Sequence, residues 1–156
     1  MSITVPFDLS YELEVRAGID EVYALLADVP ASASHFPHVE RLVDLGRNTY
    51  RWELEKVGTE QVNIHTVYAS KYVCDRRKRT VSWTPVPGVG NAQIAGEWTL
   101  TRRKNSTHAL LHIHGEIGVG LPALMKLIVV PVVEHENERL VRQYLHNLAQ
   151  SLGGEA

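Results

Sequence analysis

The side chains best suited to chemistry sit together on one stretch of helical periodicity: the carboxylate of Glu134 and the amide of Asn137. Extending the apolar stripe Leu152, Leu148, Leu145 and Val141 backwards at about 3.6 residues per turn brings both onto the inward face. Glu138 lies at the flank, and His135 and Arg139 point away. A carboxylate turned towards apolar surroundings is costly unless it is paired or hydrogen-bonded. Two accounts follow. In one, Glu134 pairs with Arg51 or a tyrosine hydroxyl, or sits at a wet mouth after a kink at Pro131. In the other, Glu134 and Asn137 read the polar end of a ligand, or Glu134 acts as a general base.

His112 and His114 form a His-x-His pair, with His65 as candidate third ligand for zinc. Their parity puts the pair on the polar face of a strand. His65 is about three strands away, ~14 Å at ~4.8 Å per strand, too far to close around one ion. The pair is expected to face Glu12, Glu14 or Glu97, and no metal or other cofactor is expected. Ser32, Ser34 and His35 are too common a composition to imply a nucleophile. No phosphate loop or nucleophile elbow occurs, and Gly88-Val89-Gly90 opens no helical pattern. Cys74 is alone, so neither an intrachain disulfide nor a cysteine-based zinc site can form.

The elements that must position these groups show in the periodicity. Phe7 to Val15 alternates apolar and polar, the mark of a half-buried strand. Ile19, Val22, Tyr23, Leu25 and Leu26 then recur at helical spacing, and Ala31 to Phe36 reads as a second short helix. Strands follow over Val39–Leu45, Tyr50–Leu54, Val62 towards Asp75, Arg79–Pro85, Gln93–Thr101 and Leu111–Ile117, each with one apolar face. From Pro122 to Leu152 the period turns helical. The 156 residues, 44% apolar and 22% charged, suit a single domain over 1–156 with its own core. A formal charge of −2 gives no field for nucleic acid. The N-terminus lacks the pattern of a signal peptide. Leu121 to Val133, broken by Lys126, falls short of the ~20 residues that span a bilayer. A cytoplasmic protein without stable membrane insertion is expected; oligomeric state is not legible.

Three stretches carry a resemblance: Gly18-Ile-Asp-Glu-Val-Tyr-Ala-Leu-Leu-Ala-Asp-Val29 after a first strand, His35-Phe-Pro-His-Val39 before the second, and the terminal helix. With the element order, they resemble the START-like superfamily, also called Bet v 1-like or SRPBCC, and within it the polyketide cyclase/dehydrase and lipid-transport group. The resemblance implies an α+β helix-grip fold, a curved antiparallel sheet wrapped around one long C-terminal helix. In that fold the apolar sheet face looks at the helix. Strand parity then places Tyr11, Tyr50, Trp52, Ile64, Tyr68, Trp83, Ile94, Trp98 and Ile113 inside, with Gly96 and Gly115 leaving room. The expected ligand site is Tyr50, Trp52, Ile64, Tyr68, Trp83, Trp98, Ile113, Glu134 and Asn137, and the expected partner an apolar small molecule such as a lipid, isoprenoid or polyketide-like aromatic. A cyclase or dehydratase in the same cavity and a chaperone-like accessory protein are the alternatives. The mouth is expected at the loops around Gly58, Pro85–Gly90 and Gly118–Pro122. The opposite end collects Arg47, Arg76-Arg77-Lys78-Arg79 and Arg102-Arg103-Lys104, hairpin tips of unassigned role.

Overall fold

The computed structural model describes residues 3–156. Alternating side chains make each strand one-faced, so the chain builds an antiparallel sheet and roofs one side of it. The strands are β1 (Ile3–Val15), β2 (Val39–Gly46), β3 (Thr49–Leu54), β4 (Val57–Gly58), β5 (Asn63–Ile64), β6 (Val67–Asp75), β7 (Thr80–Pro85), β8 (Ala92–Arg102) and β9 (Thr107–Val119). Seven of them form one sheet in the order β1-β9-β8-β7-β6-β3-β2, and β4 pairs with β5 alone. The helices α1 (Ile19–Ala27) and α2 (Val29–Ala33) follow β1, and a 3₁₀ turn at Ala123–Met125 leads into α3 (Lys126–Ser151). This is the helix-grip α+β architecture.

Three local departures from the sequence reading have clear causes. The second helix begins two residues earlier than expected, because the Asp28 carboxylate caps the Ala31 N–H at 3.2 Å and Pro30 occupies the first turn. The strand expected from Val62 to Asp75 breaks at His65-Thr66, yet Val62, Ile64, Thr66 and Tyr68 all stay buried, so parity survives the break. The buried stripe of α3 also drifts. It runs Leu148, Val141 and Tyr144, then Leu140, Val133 and Val129. From Val141 the inward line steps back by four residues through Asn137 to Val133, leaving Glu134 exposed. Pro131 lies inside α3 with its ring outward, and the helix continues through it.

The two ends of the sheet are built differently. At one end Asn91 uses all its polar groups as a clip. Its side chain accepts from Val67 N–H (2.8 Å) and donates to the carbonyls of His65 (2.9 Å) and Gly118 (2.8 Å). Its backbone bonds Val67 and Gly118 as well. The loops at Pro85–Gly90 and Gly118–Pro122 meet there through Asn91. At the other end lie the hairpin turns, where Arg47, Asn48 and Arg79 adopt positive φ. Arg79 is held by an ion pair with Asp20 and by the Tyr23 ring, 5.8 Å from its guanidinium carbon. Among the described residues no helix is long and apolar enough to cross a membrane.

Leu148 is the anchor of α3 against the sheet, with 1% of its surface exposed. Leu148→Ala is expected to cost about 2–5 kcal/mol, read as a lower urea midpoint at unchanged m-value. An unchanged midpoint would mean that α3 does not grip the sheet through this stripe.

Candidate functional site

The concave face carries a row of aromatic side chains because residues paired across antiparallel strands share a face. Trp52 is opposite Tyr68, Tyr72 opposite Trp83, and Trp83 opposite Gly96. Trp52 and Tyr68 stack at 5.8 Å with ring planes 8° apart, and Tyr72 leans on Trp83 at 5.6 Å. The roof answers with Tyr144 from α3 and Phe36 from the loop after α2. Phe36 meets Trp52 edge-on at 5.7 Å and Tyr144 at 5.3 Å. The room that Gly96 leaves is not empty. A Cβ there would fall 2.5 Å from Trp83 Cζ2, so the missing side chain is what lets the indole lie across β8. Gly115 likewise presses its backbone against the Gln93 carbonyl rather than opening a cavity.

Two narrow chambers remain between sheet and roof. The first, about 50 Å³, is walled by Trp52, Tyr68, Tyr72, Trp83, Trp98, Leu111 and Ile113 below and by Ser32, Phe36, Val141 and Tyr144 above. The second, about 40 Å³, is mainly aliphatic, with Leu54, Ile64, Ile94, Ile117, Val133 and Leu140, and carries Thr66, Tyr68, Glu136 and Asn137 as its polar side chains. Phe36, Tyr68, Ile113 and Val141 line both. Phe36 also borders an open groove of about 380 Å³ between α2 and β2, so this one ring stands between solvent and both chambers. The loops expected to form the mouth touch a chamber only at their edges, through Val57 beside Gly58 and Ile117 beside Gly118. A wider hollow at Gly120–Leu124, about 630 Å³, shares no residue with them, although Leu124 and Leu127 beside it are 97% and 91% exposed.

The expected site residues thus divide. Trp52, Tyr68, Trp83, Trp98 and Ile113 line the first chamber; Ile64, Ile113 and Asn137 line the second. Tyr50 lines the outer groove instead, and Tyr11 sits on the edge strand beneath Arg142, 5.7 Å from its ring centre. Glu134 is exposed and lines neither chamber, and Arg51 pairs with Glu53 at 3.3 Å rather than with Glu134. The carboxylate that does face a chamber is Glu136, and it is held by Arg139 through bonds of 2.7 and 2.9 Å to one oxygen. Phe36, Tyr72, Tyr144 and Ser32 are site residues that sequence reasoning passed over. The alternation Tyr68, Ser70, Tyr72 was the available signal for Tyr72.

The histidine pair lies on the outer face as expected, but its partner is different. His112 bonds Asp8 at 2.7 Å and stacks on His114 at 5.0 Å, while His108 approaches Glu12 at 3.7 Å. On β1 both Asp8 and Glu12 stand one diagonal step from His112, and Glu97 stands directly opposite it on β8, but the bond is made to Asp8. Among the described residues no group of three His, Cys, Asp or Glu side chains could hold a metal ion.

A one-faced sheet gripped by a long helix, with an aromatic interior, defines the START-like or SRPBCC superfamily. Residues 6–153 match the family of polyketide cyclase/dehydrase and lipid transport proteins, and the chain belongs to it. The Zhui aromatase/cyclase from Streptomyces sp. R1128 superposes with a TM-score of 0.72 at 17% identity, covering 94% of this chain and 93% of that one. A START superfamily protein from Mycobacterium smegmatis gives 0.64 at 14%, covering 92% and 98%. The major latex-like protein 151 of Panax ginseng gives 0.61 at 10%, covering 95% and 98%. At such identities the likeness is one of fold. None of the curated proteins matches this chain.

The titratable groups inside the first chamber are all phenols. Tyr144 shares a hydrogen bond of 2.5 Å with Ser32 Oγ, and Trp52 Nε1–H donates to the Tyr72 hydroxyl at 3.1 Å. Burial pushes the Tyr144 hydroxyl up to about 12, against the lowering effect of Ser32. It raises Tyr72 against the bond from Trp52, and raises Tyr68 well above the usual phenol range. Each phenol is therefore neutral at pH 7. A group whose folded pKa exceeds its unfolded value lends stability that is whole below the unfolded value, near 10.0, and is lost as pH rises through the folded one. The melting temperature is expected to fall between pH 10 and 12, with the three phenols ionising only as the protein unfolds, followed by phenolate absorbance. Early, non-cooperative titration of all six tyrosines would contradict the buried placement.

Proposed function

We propose that the protein binds and carries an apolar, ring-containing small molecule in the paired chambers without transforming it. The observation that carries this reading is the makeup of the first chamber: a wall of three tryptophans, three tyrosines and aliphatic groups, with Ser32 the only other polar side chain. Neutral phenols and indoles can orient a ligand, but they supply no base at pH 7. The carboxylate of the second chamber is engaged by Arg139.

The chambers together are far smaller than the ~300–1,000 Å³ of ordinary ligand sites, so occupancy requires the walls to part. Phe36 is the side chain to move, since it alone borders the outer groove and both chambers. Its backbone is anchored, because Phe36 N–H bonds the Ala33 carbonyl (2.9 Å) and Asn147 holds the His35 carbonyl (2.8 Å). The motion is then a ring rotation rather than a loop opening.

A second reading, cyclisation or dehydration of a polyketide-like substrate, is favoured by the family's description and would use a cavity phenol as the acid. Loss of water from a linear poly-β-ketone mimic, seen by mass spectrometry and absent with the Tyr144→Phe variant, would establish it over carriage.

N-phenyl-1-naphthylamine, a flat apolar probe, is expected to bind with micromolar affinity, about 8 kcal/mol. Trp98→Ala should weaken it by more than about 1 kcal/mol through lost aromatic contact, and Phe36→Ala should speed its association. If wild type binds no probe and Trp98→Ala gains binding, the interior is a packed core and the carrier reading is wrong.

A further inference from the structure

The phenols of the interior are not equivalent. Tyr144 and Tyr72 have partners in Ser32 and Trp52. Tyr68 is 7% exposed, and its hydroxyl has no hydrogen-bond partner among the described residues. Among the described residues no side-chain oxygen or nitrogen that is fully shut off lacks a partner, so the Tyr68 hydroxyl must border open space. The space beside it is the pair of chambers. Of the four side chains that line both, Phe36, Ile113 and Val141 are apolar and Tyr68 alone carries a polar atom. The waist between the chambers therefore offers a single hydrogen-bonding group. Its ring is held in place by stacking on Trp52.

A buried hydroxyl left without a partner has lost its bonds to water with nothing in return, a cost that a bound molecule would remove. The two chambers differ in character, aromatic on the α2 side and aliphatic on the β4 side, and a compact ligand would fill only one.

We infer that Tyr68 is the specificity-determining residue of this site, donating a hydrogen bond to an oxygen near the middle of an elongated ring-containing ligand whose apolar ends occupy the two chambers. The inference rests on the carrier reading above and goes further, to the class of ligand: a carbonyl compound with its oxygen at mid-length rather than a molecule with a polar head at one end. Burial keeps the phenol protonated, so its O–H is available to donate to an acceptor such as a ketone oxygen, which has no proton to offer in return.

The test compares 9-fluorenone with fluorene, which have the same three-ring frame with and without a central carbonyl. Equilibrium dialysis would measure both on wild type and on Tyr68→Phe. Wild type is expected to bind both and to prefer fluorenone. Tyr68→Phe should weaken fluorenone by about three- to tenfold, the worth of one hydrogen bond, and leave fluorene unchanged. Its melting temperature without ligand should equal or exceed wild type, since the removed hydroxyl has no partner. In protein carrying ¹³Cζ-tyrosine, the resonance lost in Tyr68→Phe should shift with fluorenone and stay put with fluorene. Equal weakening of both compounds, or of neither, would overturn the role of Tyr68 while leaving the carrier reading intact. If wild type binds neither compound, the carrier reading fails and this inference falls with it.

Discussion

Aromatic side chains with polar tips cannot be buried freely, and the interior of this protein is arranged around that constraint. A phenol or indole brings a large apolar area into the core, but its hydroxyl or N–H must find a partner or space. The bond between Ser32 Oγ and Tyr144 Oη meets this need and does more, because it ties α2 to α3 across 112 positions of sequence. Two separate pieces of roof are thereby joined over one floor. The Trp52–Tyr72 bond does the same within the floor, joining neighbouring strands on their concave side. With these two bonds made, the rings can stack and tilt against each other as packed solids.

Close packing explains why the chambers are narrow. Gly96 would be a natural place for a cavity, yet Trp83 lies over it, and Phe36 fills the gap between Trp52 and Tyr144. What space remains is divided between an aromatic chamber and an aliphatic one, with the seam between them at Phe36, Tyr68, Ile113 and Val141. The seam also coincides with the α3 face that carries Asn137 and Val141. Polar atoms gather at the aliphatic end, near the Glu136–Arg139 pair. The interior is thus graded from aromatic and neutral at α2 to partly polar at β4, a gradient that gives a bound molecule a direction.

Rigidity is distributed unevenly around this interior. The end with glycine- and proline-rich loops is clipped by Asn91, whose bonds reach three separate segments. The groove at Phe36 has no comparable clip across it, since the bonds there hold the backbone and leave the ring free. Loop composition alone pointed to the opposite arrangement. Gly and Pro mark where the chain turns sharply, whereas hydrogen bonding decides whether the turned chain moves.

Periodicity of two and of 3.6 was enough for the sequence alone to determine the element order and the apolar face of each strand, while the resemblance to the START-like superfamily supplied the grip of the long helix on that face. Trp52, Tyr68, Trp83 and Trp98 were placed on the concave face by parity, which survives even the break at His65-Thr66. Parity is robust because a one-residue slip would turn every inward apolar side chain of a strand to water. The tertiary structure alone decided what periodicity cannot carry. The phase of α3 drifts as it crosses the sheet, so Glu134 is exposed while Asn137 and Glu136 face a chamber. Phe36 came to lie between the outer groove and both chambers through its packing against Trp52 and Tyr144, residues distant in sequence. Tyr68 was left without a partner because its neighbours happened to pair elsewhere. Local pattern sets which way a side chain points; only the assembled neighbours settle what it meets there.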